Sequence, residues 1–203
     1  MTREDLLQDI AYARTLAEEG RSAPLIGGAY LVLFGMMLAI AYCVQWAAMT
    51  GLIPMDNVGW LWIAFGAAAL IGTKLLRRRT VTLPGGSSAV NRADRLIWQG
   101  VVWAIMAVVV GTVLRGILRD DDTAPSAIMA AGFGLYGVAL FVTARMSGLN
   151  WLAAFAWIAW LLSAALWFFA NEAWAYLLAA GGCVAVLLTP GVIMMRQEPT
   201  TTV

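Results

Sequence analysis

The sequence predicts an all-α, polytopic membrane protein: a bundle of six transmembrane helices preceded by an amphipathic cytoplasmic helix. Three observations carry this prediction. Apolar residues make up 62% of the 203 and charged residues only 12%, against roughly 45–50% and about 25% in soluble domains. Six apolar stretches of membrane-crossing length follow one another, separated by short polar breaks. Threaded back and forth through a bilayer, the chain places eleven of its thirteen basic residues on one side. Six crossings of about 20 residues each use most of the chain, so no room remains for a soluble domain.

Residues 1–23, MTREDLLQDIAYARTLAEEGRSA, carry three Arg and five acids, with Leu6, Ile10, Ala13 and Ala17 at helical spacing. Thr2 suits the start, with Asp5 three residues on as an imperfect capping box, and Gly20 suits the end. A secretory signal runs from a basic start straight into an apolar core. This acidic, amphipathic segment is therefore expected in the mature chain, along the cytoplasmic membrane surface or beneath the bundle.

The transmembrane domain, 24–196, divides into spans at about 25–48, 57–76, 96–118, 125–146, 149–169 and 173–195, with a short cytoplasmic tail at 197–203. The breaks read TGLIPMDN, RRRTVTLPGGSSAVNRADR, RDDDTAP, SGLN and NEA. Only the second is long, and its Pro84-Gly85-Gly86-Ser87-Ser88 centre has loop chemistry. With the N-terminus inside, the inner side holds Arg3, Arg14, Arg21, Lys74, Arg77, Arg78, Arg79, Arg92, Arg95, Arg145 and Arg196, and the outer side holds Arg115 and Arg119. Both termini are thus predicted to be cytoplasmic. The descending helices AFGAAALIGTKLLRRR, GFGLYGVALFVTARM and AGGCVAVLLTPGVIMMR share early glycines, a later threonine and a basic end. That likeness suggests three helix hairpins built from one unit.

Composition also excludes function classes. A net charge of +1 offers no field for nucleic acid. With no histidine and only Cys43 and Cys183, zinc, haem and His-based acid–base chemistry lack their residues. The two cysteines fall about 10 Å or more apart in depth, too far for a disulfide. No catalytic, cofactor or metal site is expected, and the chain reads as no enzyme. No acid or base falls mid-span; Lys74, Arg115 and Arg145 lie near ends, where they can snorkel. This weakens an ion-coupled transporter. Asp120-Asp121-Asp122 reads as a solvated loop, and Tyr30, Gln99, Thr112, Tyr136, Thr143, Ser163 and Thr189 as hydrogen-bonding glue between helices.

GFGLYG, residues 132–137, matches a dinucleotide-binding pattern but sits inside a span, with no strand before it. Helix packing is the better reading, as it is for Gly27, Gly28, Gly35, Gly66, Gly72, Gly181 and Gly182. Pro190 removes a backbone donor within the sixth span and predicts a kink, and a broken helix can line a cavity. Seven of the ten tryptophans fall toward span ends, as aromatic belts do, while Trp103, Trp157 and Trp160 lie deeper. Candidate ligand or partner-surface residues are Tyr136, Trp157, Trp160, Gly181, Gly182 and Pro190. Lys74, Arg77, Arg78, Arg79, Arg92 and Arg95 are candidates for contact with anionic lipid headgroups.

The segments RTLAEEGRSAPLIGG, GLYGVALFVTARM and LLTPGVIMMRQEP resemble a group of bacterial multi-helix inner-membrane proteins of unassigned activity. The resemblance implies six helices in a bacterial inner membrane and carries over no site residue. The expected function is that of a non-enzymatic accessory, scaffold or sensor component that binds membrane lipid, another membrane protein or its own copy. The alternative is a small facilitator of a neutral or apolar solute.

Overall fold

The computed structural model describes residues 24–55, 57–80, 83, 88–119, 124–170 and 172–198. The expected amphipathic helix at 1–23 and most of the tail lie outside them. Among the described residues the chain is all helical: α1 (Gly28–Met49), α2 (Gly59–Thr80), α3 (Ala89–Arg119), α4 (Ala124–Ser147), α5 (Leu152–Phe168) and α6 (Ala175–Gln197). Five of these helices are long and apolar enough to cross a membrane; α5, with 17 residues, falls just short. At ~1.5 Å per residue it extends about 26 Å, a little under the ~30 Å hydrocarbon core.

Packing is uneven. The α1–α6 pair packs most extensively, and the hairpin α4–α5 comes second. On α4 the buried residues Ala130, Phe133, Gly137, Leu140 and Ala144 recur at three- and four-residue steps. Leu152, Ala156, Ala159 and Leu166 of α5 follow the same rhythm and are 0% exposed. Small residues alternating with large ones along both seams let the two apolar helices approach closely. Gly148, at φ +73°, ends α4 in the left-handed conformation that glycine adopts without a Cβ clash, and so turns the chain into α5. Gly51, at φ +75°, plays the same part after α1.

The α1–α6 pair rests on glycines. A Cβ on Gly28 would lie 2.7 Å from the Gly191 carbonyl oxygen, one on Gly191 would lie 2.8 Å from that of Gly28, and one on Gly35 would lie 2.6 Å from the Leu188 nitrogen. Backbone meets backbone here. The predicted kink in α6 takes a specific form: Val184–Leu188 is a π-helical turn immediately before Thr189-Pro190. Proline lacks a donor and its ring collides with the carbonyl four residues back; the wider turn relieves both. Thr189 completes the arrangement by donating its Oγ1 to the Val184 carbonyl at 2.9 Å.

α2 and α3 stand apart from this core. α2 leans on α1 and α3 on α4, but the two do not pack along each other. α2 buries no residue, and α3 buries only Asn91, Asp94 and Val101. α3 also begins at Ala89, ahead of the position 96 predicted from hydropathy. Ser88 explains the earlier start: its Oγ accepts the Asn91 backbone N–H at 3.2 Å, an N-cap of the usual geometry.

Candidate functional site

The end of the bundle at which α1 and α3 begin is built around two buried polar residues of α3. Asn91, 3% exposed, accepts the Ile26 N–H at its Oδ1 (2.9 Å) and donates from Nδ2 to the Pro24 carbonyl (2.9 Å). It thereby satisfies the backbone leading into α1, whose own N-terminus has no side-chain cap. One turn on, Asp94 accepts a 2.5 Å hydrogen bond from Thr143 of α4 and another from the Trp98 indole. A Cβ on Gly27 would sit 3.2 Å from its Oδ2. Glu198, just past α6, closes the same end. Its carboxylate accepts the Gly28 N–H and faces the Arg79 guanidinium. Partial burial pushes this carboxyl up from its ordinary range, against the opposing pull of Arg79 and Gly28, and its buried Oε1 has no hydrogen-bond partner.

Deeper in the bundle, α1, α2, α4 and α6 contribute an aromatic and polar interior. Tyr42 stacks edge-on against Trp62 (5.5 Å between centroids) and lies 6.3 Å from the Tyr176 ring. Tyr136 of α4 joins Phe133 and Trp98. Tyr42, Tyr136, Tyr176 and the buried Cys183 are close enough to interact electrostatically. Gln45, also buried, accepts the Trp62 indole N–H at 2.8 Å. Both cysteines are free, and among the described residues no group of three or more His, Cys, Asp or Glu could hold a metal ion.

The candidate ligand or partner residues fall in three places. Tyr136 belongs to the interior just described, near Gly182, where a Cβ would meet Phe133 and Leu162 and where α4, α5 and α6 converge. Trp160 seals the α4–α5 seam: its indole covers Gly137 and donates to the Gly134 carbonyl at 3.2 Å. GFGLYG is therefore a packing surface. Trp157 stacks on Trp160 with 61% of its surface exposed, and Gly181 has nothing within 4 Å. Pro190 is fully buried in the α1–α6 pair. These six residues do not converge on one pocket.

The six basic candidates gather at the C-terminal end of α2 and the N-terminal end of α3. Lys74, Arg77, Arg78, Arg79, Arg92 and Arg95 are all exposed at residue level. Two of them have acids beside them: Arg79 faces Glu198, and Arg95 lies near Asp94. The outward faces of the same helices are apolar, with Leu70 75%, Ile71 61%, Leu96 64% and Trp103 68% exposed. At the other end of α3, Leu114, Arg115, Leu118 and Arg119 line an open groove of about 540 Å³. Hydropathy alone places Asn91 and Asp94 in a loop, whereas both lie in α3; Ser88, a capping residue three positions before Asn91, is the sequence signal for the earlier start. Comparisons with protein-family models, curated proteins and solved structures find no match to this chain.

Proposed function

We propose that this chain is a non-enzymatic component of a bacterial inner membrane, with both termini cytoplasmic, that acts as a scaffold or sensor. It does so by presenting α2 and α3 to lipid or to a partner membrane protein. One observation carries the reading: α1, α4, α5 and α6 close on one another, whereas α2 buries nothing and α3 buries only Val101 beyond the polar Asn91 and Asp94 at its start. In a small bundle every helix can bury a face. Two helices held outward on a glycine-locked core leave two apolar faces available along their length. The gathering of eleven of thirteen basic residues on one side supports this orientation.

Photo-crosslinking in cells, from probes replacing Leu70 and Trp103 one at a time, tests this. Both sites are expected to capture the same species, enriched over bulk membrane, while a probe at the buried Leu166 captures none. Uncrosslinked monomer from both exposed sites would count against a scaffold. A neutral-solute facilitator has its own support in the interior hydroxyls of Tyr42, Tyr136 and Tyr176 beside Gln45. Flux of a neutral solute into liposomes, lowered by Tyr136→Phe, would favour that reading over the scaffold.

A further inference from the structure

α2 and α3 are consecutive, and their facing ends are pinned to nearly the same point. The Tyr30 hydroxyl lies 3.3 Å from Thr80 Oγ1, and Asn91 holds the Ile26 N–H one turn earlier in the chain. From this shared inner anchor the helices separate, α2 along α1 and α3 along α4. Their outward faces have the same amphiphilic layout. On α2, Ile63, Ala67, Leu70, Lys74 and Arg78 recur at steps of three and four residues and so share a face. On α3, Arg92, Leu96, Gln99, Trp103 and Met106 do the same. Each stripe is apolar toward mid-membrane and basic at its inner end.

We infer that the inner ends of α2 and α3 together bind an anionic glycerophospholipid of the inner leaflet. Its phosphate sits between Arg77 and Arg78 on one helix and Arg92 on the other, and its acyl chains lie along Leu70 and Leu96. The inference rests on the scaffold reading and names the ligand of the same face. Charge complementarity selects this occupant: exposed cations at the headgroup level, continuous with exposed apolar surface below, match one phosphodiester carrying two chains. Guanidinium groups suit phosphate because they can donate two parallel hydrogen bonds. A partner helix would need acidic residues at that one depth.

Native mass spectrometry of the full chain, released from nanodiscs of phosphatidylcholine containing one-fifth phosphatidylglycerol, tests the inference. At about fivefold per basic residue near the surface, the ratio of phosphatidylglycerol to phosphatidylcholine among retained lipids should be at least tenfold that of the disc. Arg77→Gln/Arg78→Gln/Arg92→Gln should bring the ratio down to that of the disc, while Arg115→Gln/Arg119→Gln at the outer end leaves it unchanged. Arg77→Lys/Arg78→Lys/Arg92→Lys preserves the topological charge and should keep several-fold enrichment, guarding against an inverted or unfolded Gln variant. Wild-type retention at the disc's own ratio overturns the inference, as does enrichment that survives the Gln variant. If lipid retention is unselective but Leu70 and Trp103 still crosslink to a protein, the lipid inference fails and the scaffold reading stands.

Discussion

Replacing Gly191 with alanine should destabilise the protein more than any other single added methyl group in α6. The new Cβ would lie 2.8 Å from the Gly28 carbonyl oxygen, from Leu31 Cβ and from the Val32 nitrogen at once, where non-bonded carbon contacts settle near ~3.5–4.0 Å. Two of the three obstacles are backbone, so no rotamer change relieves them and α1 must move away from α6. Overpacking of this kind costs about 1–3 kcal/mol. Alanine's helix propensity offsets up to about 1 kcal/mol of that, leaving a net loss of up to about 2 kcal/mol. Gly111→Ala, where nothing lies within 4 Å, supplies the control and should be neutral or slightly stabilising. Gly28→Ala/Gly191→Ala should cost less than the sum of its singles, because the first separation makes room for the second methyl. Reversible unfolding in bicelles, followed by tryptophan fluorescence, measures all four variants. If Gly191→Ala matched the wild type while Gly111→Ala lost stability, the backbone contact between α1 and α6 would be wrong.

Other expectations follow from the polar end around Asn91 and the α4–α5 seam. Asn91→Ala leaves the Ile26 N–H and the Pro24 carbonyl without their partner, at about 1–3 kcal/mol, and should speed hydrogen exchange at Ile26 and at the start of α1. Thr143→Val removes the hydroxyl that Asp94 accepts; a similar loss is expected, with Thr143→Ser restoring most of it in the same unfolding assay. Trp160→Phe keeps the ring over Gly137 but loses the bond to the Gly134 carbonyl, and should cost about 1 kcal/mol. Burial raises the folded-state pKa of Glu198 above its unfolded value. Its favourable contribution is therefore complete at pH values below the ordinary carboxylate range and is lost as pH rises through the folded value. Distances between spin labels at the start of α1 and the end of α6 should tighten on acidification in the wild type and stay constant in Glu198→Gln.

Much of this architecture is legible in the sequence because long apolar helices announce themselves by length and hydropathy. The expected spans overlap all six helices, and the glycines Gly28, Gly35, Gly72 and Gly182 do lie against neighbours. Which glycines remain open is not legible: Gly66 and Gly181 have the same local context but meet nothing within 4 Å, because partner identity is a property of the tertiary arrangement. The start of α3 was hidden for a different reason. Asn91, Arg92, Asp94 and Arg95 depress hydropathy, yet two of them are buried as partners for the backbone before α1 and for Thr143, more than forty residues distant in each case. Pro190 marks where α6 is disturbed but not how, since a π turn and a simple bend satisfy the same missing donor. The outward placement of α2 left no trace in its sequence, because an apolar helix facing lipid and one facing protein have the same composition.

The most direct test of the account is an electron cryo-microscopy structure determined with the chain's own membrane lipids retained. The account predicts ordered density, a headgroup with chains or a partner helix, against Leu70, Arg78, Arg92 and Leu96, together with a dry, closed interior around Tyr42 and Tyr136. Featureless density along α2 and α3, with a continuous water-filled path past those tyrosines, would contradict it.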